Sequence, residues 1–222
     1  MRPGPEWFIF LEAIGLLSFA INAMIVTRPK GLSTLGVFVA AAVTALGGGT
    51  LRDILLGPAA LPFFWVAFPF YFVSIFIVAV IYANSETVQN LIAKRDFVMK
   101  EGTEALAFAS LGSLGAAKTF NILSPGMGEG IWAVAHVWVL CAFLGAMTVT
   151  FGGIIRDTLL NEFPSTLKSG NGALESVFIG AGLVGLLLLL GASQPIALLA
   201  GFVLTLVLRV RIVLAARVKK GA

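Results

Sequence analysis

Charge is what this sequence has least of: 12% of its 222 residues are Asp, Glu, Lys or Arg, about half the share found in an ordinary soluble domain. With 59% of residues hydrophobic and a mean hydropathy of +1.00, a soluble globular fold is excluded and a membrane-embedded one is expected. Cysteine is reduced to Cys141, so no disulfide forms within the chain. Histidine is reduced to His136, with no cysteines or clustered carboxylates beside it. No metal site is therefore expected, and His136 reads as a packed or hydrogen-bonded residue near the outer end of the fifth run. The sequence holds no phosphate-binding loop and no serine set matched to a histidine and a carboxylate. Enzymatic activity and ATP-driven transport are disfavoured accordingly, and neither a cofactor nor a nucleic-acid partner is expected. Residues 1–5 carry one arginine and lead into an apolar run long enough to remain as an anchor, so no cleavable signal peptide is read there.

Long apolar runs are what the chain has instead. Seven of them fall between polar breaks, over 7–27, 32–56, 63–83, 103–120, 131–160, 173–190 and 196–215, each close to the roughly 20 residues that cross a bilayer as a helix. The expected fold is an all-α polytopic membrane protein, a single transmembrane domain over 1–222 with seven transmembrane helices. A polar connector over 84–102 holds Lys94, Arg95, Asp96 and Lys100. With the N-terminus outside, Arg28, Lys30, Lys94, Arg95, Lys100, Lys168, Arg217, Lys219 and Lys220 flank the inner ends of the helices. Only Arg2 and Lys118 then flank the outer ends. This asymmetry places the N-terminus out and the C-terminus in, with Arg209 and Arg211 snorkelling toward the inner face. The basic tail from Arg217 to Lys220 either meets anionic lipid headgroups or serves simply as a topology signal.

One phrase occurs twice. Gly47-Gly48-Gly49-Thr50-Leu51-Arg52-Asp53 closes the second run, and Phe151-Gly152-Gly153-Ile154-Ile155-Arg156-Asp157 closes the fifth. Gly48 and Gly152 are 104 positions apart, as are the two Arg-Asp pairs. Glu12-Ala13 opens the first run as Glu104-Ala105 opens the fourth, and Ser18 matches Ser110 at the same offset of 92. Extra residues around 121–130 account for the growth of the offset. The pattern reads as a three-helix repeat over 7–83, a second over 103–190, and a seventh helix over 196–215. Because three is odd, the second repeat is inverted relative to the first, an arrangement found in transport proteins. Glu12 and Glu104 read as helix-opening carboxylates favoured by the helix dipole.

Two readings of the glycines stand side by side. Small residues let membrane helices pack closely. Alternatively, glycine lets the end of an overlong helix unwind, which lipid tolerates only beside a water-filled cavity. The hydroxyls of Thr44, Thr50, Thr148 and Thr150 lie where they would add oxygens to such a cavity, and a cation shedding its water needs oxygens of this kind. Asn22 in the first run either adds its amide to the path or hydrogen-bonds between helices. Arg52-Asp53 and Arg156-Asp157 fall at opposite mouths of the inverted arrangement. Charges in lipid need partners or water, so these pairs either brace and gate a path or mark helix ends. A bare arginine repels cations, and a cation path therefore requires the aspartates to neutralise both.

With these residues in view, the two phrases, followed by Leu55-Leu56-Gly57 and by Asn161-Glu162-Phe163-Pro164, resemble the paired signatures of the prokaryotic trimeric intracellular cation channels. The openings Glu12-Ala13-Ile14-Gly15-Leu16 and Glu104-Ala105-Leu106-Ala107-Phe108 resemble that family's repeat starts. The resemblance implies second and fifth helices kinked at Gly47, Gly48, Gly49, Gly152 and Gly153. It also implies a homotrimer in the prokaryotic inner membrane, one pore in each protomer, and passage of monovalent cations, potassium or sodium. Phe151 departs from it, standing where the family pattern usually has a glycine. The wider bacterial family has also been labelled as transporters of glycine or small amino acids, so a carrier is the alternative.

Overall fold

The computed structural model describes residues 6–60 and 68–221. Within them run α1 (Glu6–Thr27), α2 (Thr34–Leu56), α3 (Phe68–Asn84), α4 (Glu86–Ala93), α5 (Asp96–Leu123), α6 (Ile131–Leu159), α7 (Ala173–Leu189) and α8 (Gln194–Gly221). Apolar composition makes the helices, and local chemistry ends them. Arg28-Pro29-Lys30 tightens into a 3-10 turn closed by Gly31 at φ 64°, where glycine adopts the left-handed conformation without the Cβ cost. Ser33 then caps α2 by accepting from the Gly36 N–H. The start of the third expected helix, 63–67, lies outside the described residues.

Five helices among the described residues are long and apolar enough to cross a membrane, and α3 with α4 forms a sixth, bent candidate. At 17 residues, α7 is about 26 Å long, near the lower limit of a span.

The expected connector over 84–102 is helical. Ser85 caps α4 by accepting from the Val88 N–H at 3.3 Å. Gln89 reaches back to the Tyr82 and Ala83 carbonyls that end α3, and the chain turns by 89° between the two helices. Val88 and Ile92 pack on the core while Leu91 on the other face is 67% exposed. The fourth expected helix, placed at 103–120, begins at Asp96 as α5. Its first two turns set Asp96, Lys100 and Glu101 around the short apolar stretch Phe97-Val98-Met99, so hydropathy does not register them as part of a span.

The unwound glycine turns are not present. α2 runs without interruption through Gly47, Gly48 and Gly49, and α6 through Gly152 and Gly153. None of these glycines has a positive φ. Close packing keeps them helical. α1, α2, α5 and α6 form the centre, with α2 against α6 and α1 against α5. α3 leans on α1 and α2, while α7 and α8 flank α5 and α6. Phe19 of α1 meets Phe108 of α5 edge to face at 5.6 Å, an arrangement aromatic rings favour.

Candidate functional site: a glycine crossing between two arginine–aspartate pairs

α2 and α6 cross in opposite senses, and their glycines are the point of contact. A Cβ on Gly48 would collide with the Thr148 carbonyl oxygen and lie 2.8 Å from that of Met147. A Cβ on Gly152 would collide with the Thr44 carbonyl oxygen and lie 3.0 Å from that of Val43. These contacts exchange under the 104-residue offset, since Gly48 matches Gly152 and Thr44 matches Thr148. Each glycine faces the other helix's backbone, which has no side-chain freedom with which to give way. The small-residue packing reading therefore holds at both.

The charged pairs sit at the two ends of this crossing. At a rise of 1.5 Å per residue, the antiparallel register separates Arg52 from Arg156 by about 18 Å along the helices. Both pairs are buried, with every side chain of the four at most 7% exposed. Arg52 donates from Nε at 2.8 Å and Nη2 at 2.6 Å to one oxygen of Asp53, Oδ1. Arg156 meets Asp157 Oδ1 in the same way, from Nε at 2.8 Å and Nη2 at 2.7 Å. Neither arginine is bare, and each is held by its following aspartate through charge-assisted hydrogen bonds.

The surroundings differ. In the first half-site Lys118 of α5 donates to Asp53 Oδ2 at 2.8 Å, and Arg52 Nη1 reaches Thr148 across the crossing at 3.3 Å. Glu12 lies nearby on α1, accepting from the Tyr71 hydroxyl at 2.9 Å. Glu12, Gly49, Thr50, Arg52, Asp53 and Thr148 line a cavity of about 40 Å³, enough for more than one water molecule. In the second half-site Asp157 Oδ2 accepts from the Ser165 backbone N–H at 2.9 Å and its hydroxyl at 3.1 Å. Arg156 Nη1 lies 3.5 Å from Asn22 Oδ1. Asn22 in turn donates to the Lys100 carbonyl at 2.8 Å and sits 3.4 Å from the Thr103 hydroxyl, tying α1 to α5.

The expected polar residues therefore separate into three groups. Thr50 and Thr148 line the cavity of the first half-site, and Asn22 belongs to the second. Thr44 and Thr150 are 1% exposed and close hydrogen bonds onto the Ala40 and Ala146 carbonyls of their own helices. Several residues take roles that differ from the expectation. Lys118, expected only as an outer flank, is a partner of Asp53; a lone lysine inside an apolar run was the available signal. Arg209 does not snorkel: it is 3% exposed and meets Glu104 at 2.8 Å and Glu101 at 3.3 Å. Glu104 lies two turns inside α5, and Glu12 more than a turn inside α1, so both are held by tertiary partners and not by a helix end. His136 is exposed on α6, not packed. No group of three or more His, Cys, Asp or Glu suited to a metal ion occurs among the described residues.

A family model described as "Glycine transporter" matches residues 9–85 and 130–190, well over half of the chain. The chain belongs to this family. Related members include a UPF0126 membrane protein of Vibrio cholerae, 27% identical over 90% of this chain and 76% of that one. Another, from Deinococcus radiodurans, is 30% identical over 75% of this chain and 68% of its own length. A third, in Escherichia coli strain K12, is named an inner membrane protein and is 28% identical over 72% of this chain and 69% of that one. With these relatives and its apolar helices, the family member described here is a multi-pass protein of the prokaryotic cell membrane. Its fold is that of the trimeric intracellular cation channels, as the paired phrases implied. The Rhodobacter sphaeroides orthologue of those channels superposes with a TM-score of 0.76 at 27% identity, covering 96% of this chain and 100% of that one. A second structure, solved to explain conductance through such channels, gives a TM-score of 0.75 at 27% identity over 96% of this chain and 94% of its own.

Proposed function

We propose that this protein is a passive channel for monovalent cations, permeable to potassium, with one path inside each protomer of a homotrimer. The observation that carries the reading is the pair of buried, internally neutralised Arg–Asp pairs set at the two ends of one glycine crossing. They lie within a fold shared along nearly its whole length with channels named for cation conduction. The path runs between α2 and α6 past the cavity at Arg52 and Asp53. Gly47, Gly48 and Gly152 give the crossing its closeness, while Gly49 and Gly153 leave room beside the Arg52 and Arg156 guanidinium groups of their own helices. At Gly48 and Gly152 the backbones touch, so an ion passes only when the two helices part there. Seven spans, with an inverted pair of three-helix repeats, carry the N-terminus outside and the basic flanks inside, against anionic lipid.

Planar-bilayer recording of the purified protein in a potassium chloride gradient tests this. Discrete currents reversing near the potassium potential are expected. The family's description favours a second reading, a carrier of glycine or a similar small amino acid. Saturable uptake of labelled glycine into liposomes by an electrically silent protein would establish that instead. The trimer is tested by light scattering in detergent, where a protein mass of one or two protomers contradicts it.

A further inference from the structure

The segment joining α6 to α7 carries a chain of hydrogen bonds that neither helix needs for its own fold. It begins on α5, where Glu104 and Glu101 accept from Arg209 Nη2. Arg209 Nη1 donates to both the backbone oxygen and Oδ1 of Asn171, at 2.6 and 2.7 Å. Asn171 Nδ2 donates to the Ser165 carbonyl at 2.6 Å, and Ser165 holds Asp157 Oδ2. Asp157 holds Arg156. The segment is also fixed at its two ends. Asn161 is left-handed at φ 56°, Gly172 at φ 64°, and Ile212, one turn beyond Arg209 on α8, packs where a Cβ of Gly172 would stand. Three backbone amides of the segment, those of Leu160, Glu162 and Ser165, end on oxygens of Asp157.

We propose that Arg209 and Asn171 are positioning residues for the Arg156–Asp157 pair, so that α8 sets the geometry of one mouth of the path and not the other. The proposal rests on the reading that this pair flanks the conducting path. Asp53 takes its second bond from Lys118 on α5, and α8 has no part in that bond. A lock that merely joined α8 to α5 would end at Glu104; this one continues from Arg209 through two further residues, Asn171 and Ser165, to the aspartate. Every link is a donor meeting an acceptor in buried or half-buried surroundings, where a broken link leaves a group unsatisfied and the next residue free to move.

Asn171→Asp cuts the chain at one link. It keeps Oδ1 for Arg209 and replaces the amide donor with an oxygen facing the Ser165 carbonyl. Hydrogen exchange of the full-length protein in lipid nanodiscs reads the positions 160–165, and bilayer currents at both polarities read the path. We expect exchange at 160–165 to rise about tenfold, with 50–57 unchanged. We also expect the single-channel current to change about twofold at one polarity and remain near the wild-type value at the other. Arg209→Lys keeps the charge but cannot span Asn171 and Glu104 together, and it should give the same pattern more weakly. Unchanged exchange, or currents altered equally at both polarities, overturns the proposal. If wild-type protein carries no current while Asn171→Asp still loosens 160–165, the channel reading falls and the positioning stands. If currents flow and the variant matches wild type in both readouts, the positioning falls and the channel reading stands.

Discussion

The two half-sites share a phrase, a primary ion pair and a place at the end of the same crossing, yet their aspartates are completed differently. Asp53 has a cation on each oxygen, Arg52 on Oδ1 and Lys118 on Oδ2. Asp157 has a cation on Oδ1 and neutral donors from Ser165 on Oδ2. The first half-site is thus held by charge supplied from α5, and the second by a loop anchored on α8. The difference shows what duplication preserves. Gly48 and Gly152 must face backbone, and Arg52 and Arg156 must have an adjacent carboxylate, because nothing else in a lipid-surrounded core compensates a missing partner. The outer oxygen of each aspartate needs only some donor, and the two halves have met that need with different residues.

This contrast orders the expected effects of substitution. Asp53→Asn removes the carboxylate that buried Arg52 and half-buried Lys118 share, and breaking such a cluster from one side costs about 3–5 kcal/mol. Asp157→Asn strands one cation only, so its loss of thermal stability in detergent should be clearly smaller. Equal losses would erase the distinction between the half-sites. Gly48→Ala and Gly152→Ala each press a methyl group onto a carbonyl of the facing helix and should cost about 1–3 kcal/mol by overpacking. Their effects should match, and a marked inequality in the same melting experiment would break the symmetry of the crossing. In single-channel recordings, leucine at either position should alter conductance more than a leucine placed on α3 or α7.

Asn22→Ala removes the bond to the Lys100 carbonyl and the longer contacts to Thr103 and Arg156, a loss of about 0.5–1.5 kcal/mol, and should disturb only the second half-site. The smallest effect is expected at Lys30, whose pair with Glu162 is more than a third exposed on both sides. Lys30→Ala should change stability by no more than about 1 kcal/mol, and less at high salt. A larger loss there would mean that the segment after α6 depends on this surface contact and not on its buried links.

Much of this architecture is legible in the residues. The expected bounds of the helices running to Thr27, Leu56 and Leu159 agree with the fold to within a residue or two at most ends, because an apolar run in lipid has one stable conformation. The spacing of 104 located both half-sites. The connector did not read as helix, because α4 and the start of α5 earn their structure from Ser85 capping, from Gln89 closing α3, and from two apolar side chains turned inward. Arg209 read as a snorkelling residue because its position near a helix end says nothing of the carboxylates on another helix. The glycine clusters were legible as sites of importance but ambiguous in kind, since unwinding and close packing call for the same residue.

By itself, the sequence determined that the chain is helical and membrane-embedded, and that two glycine–arginine–aspartate phrases are its unusual places. Those properties follow from local composition: a backbone without water must bond to itself, and a charge in lipid needs a neighbour. Only the tertiary structure decided that the glycines stay helical against a facing carbonyl. It alone gave Lys118 to one aspartate and Ser165 to the other, and tied α8 to a single mouth. Apart from Ser165, eight residues beyond Asp157, those outcomes depend on which surfaces meet across separations of 38 to 108 residues, and a hydrogen bond is chosen by distance and angle in space, which no run of neighbouring residues specifies.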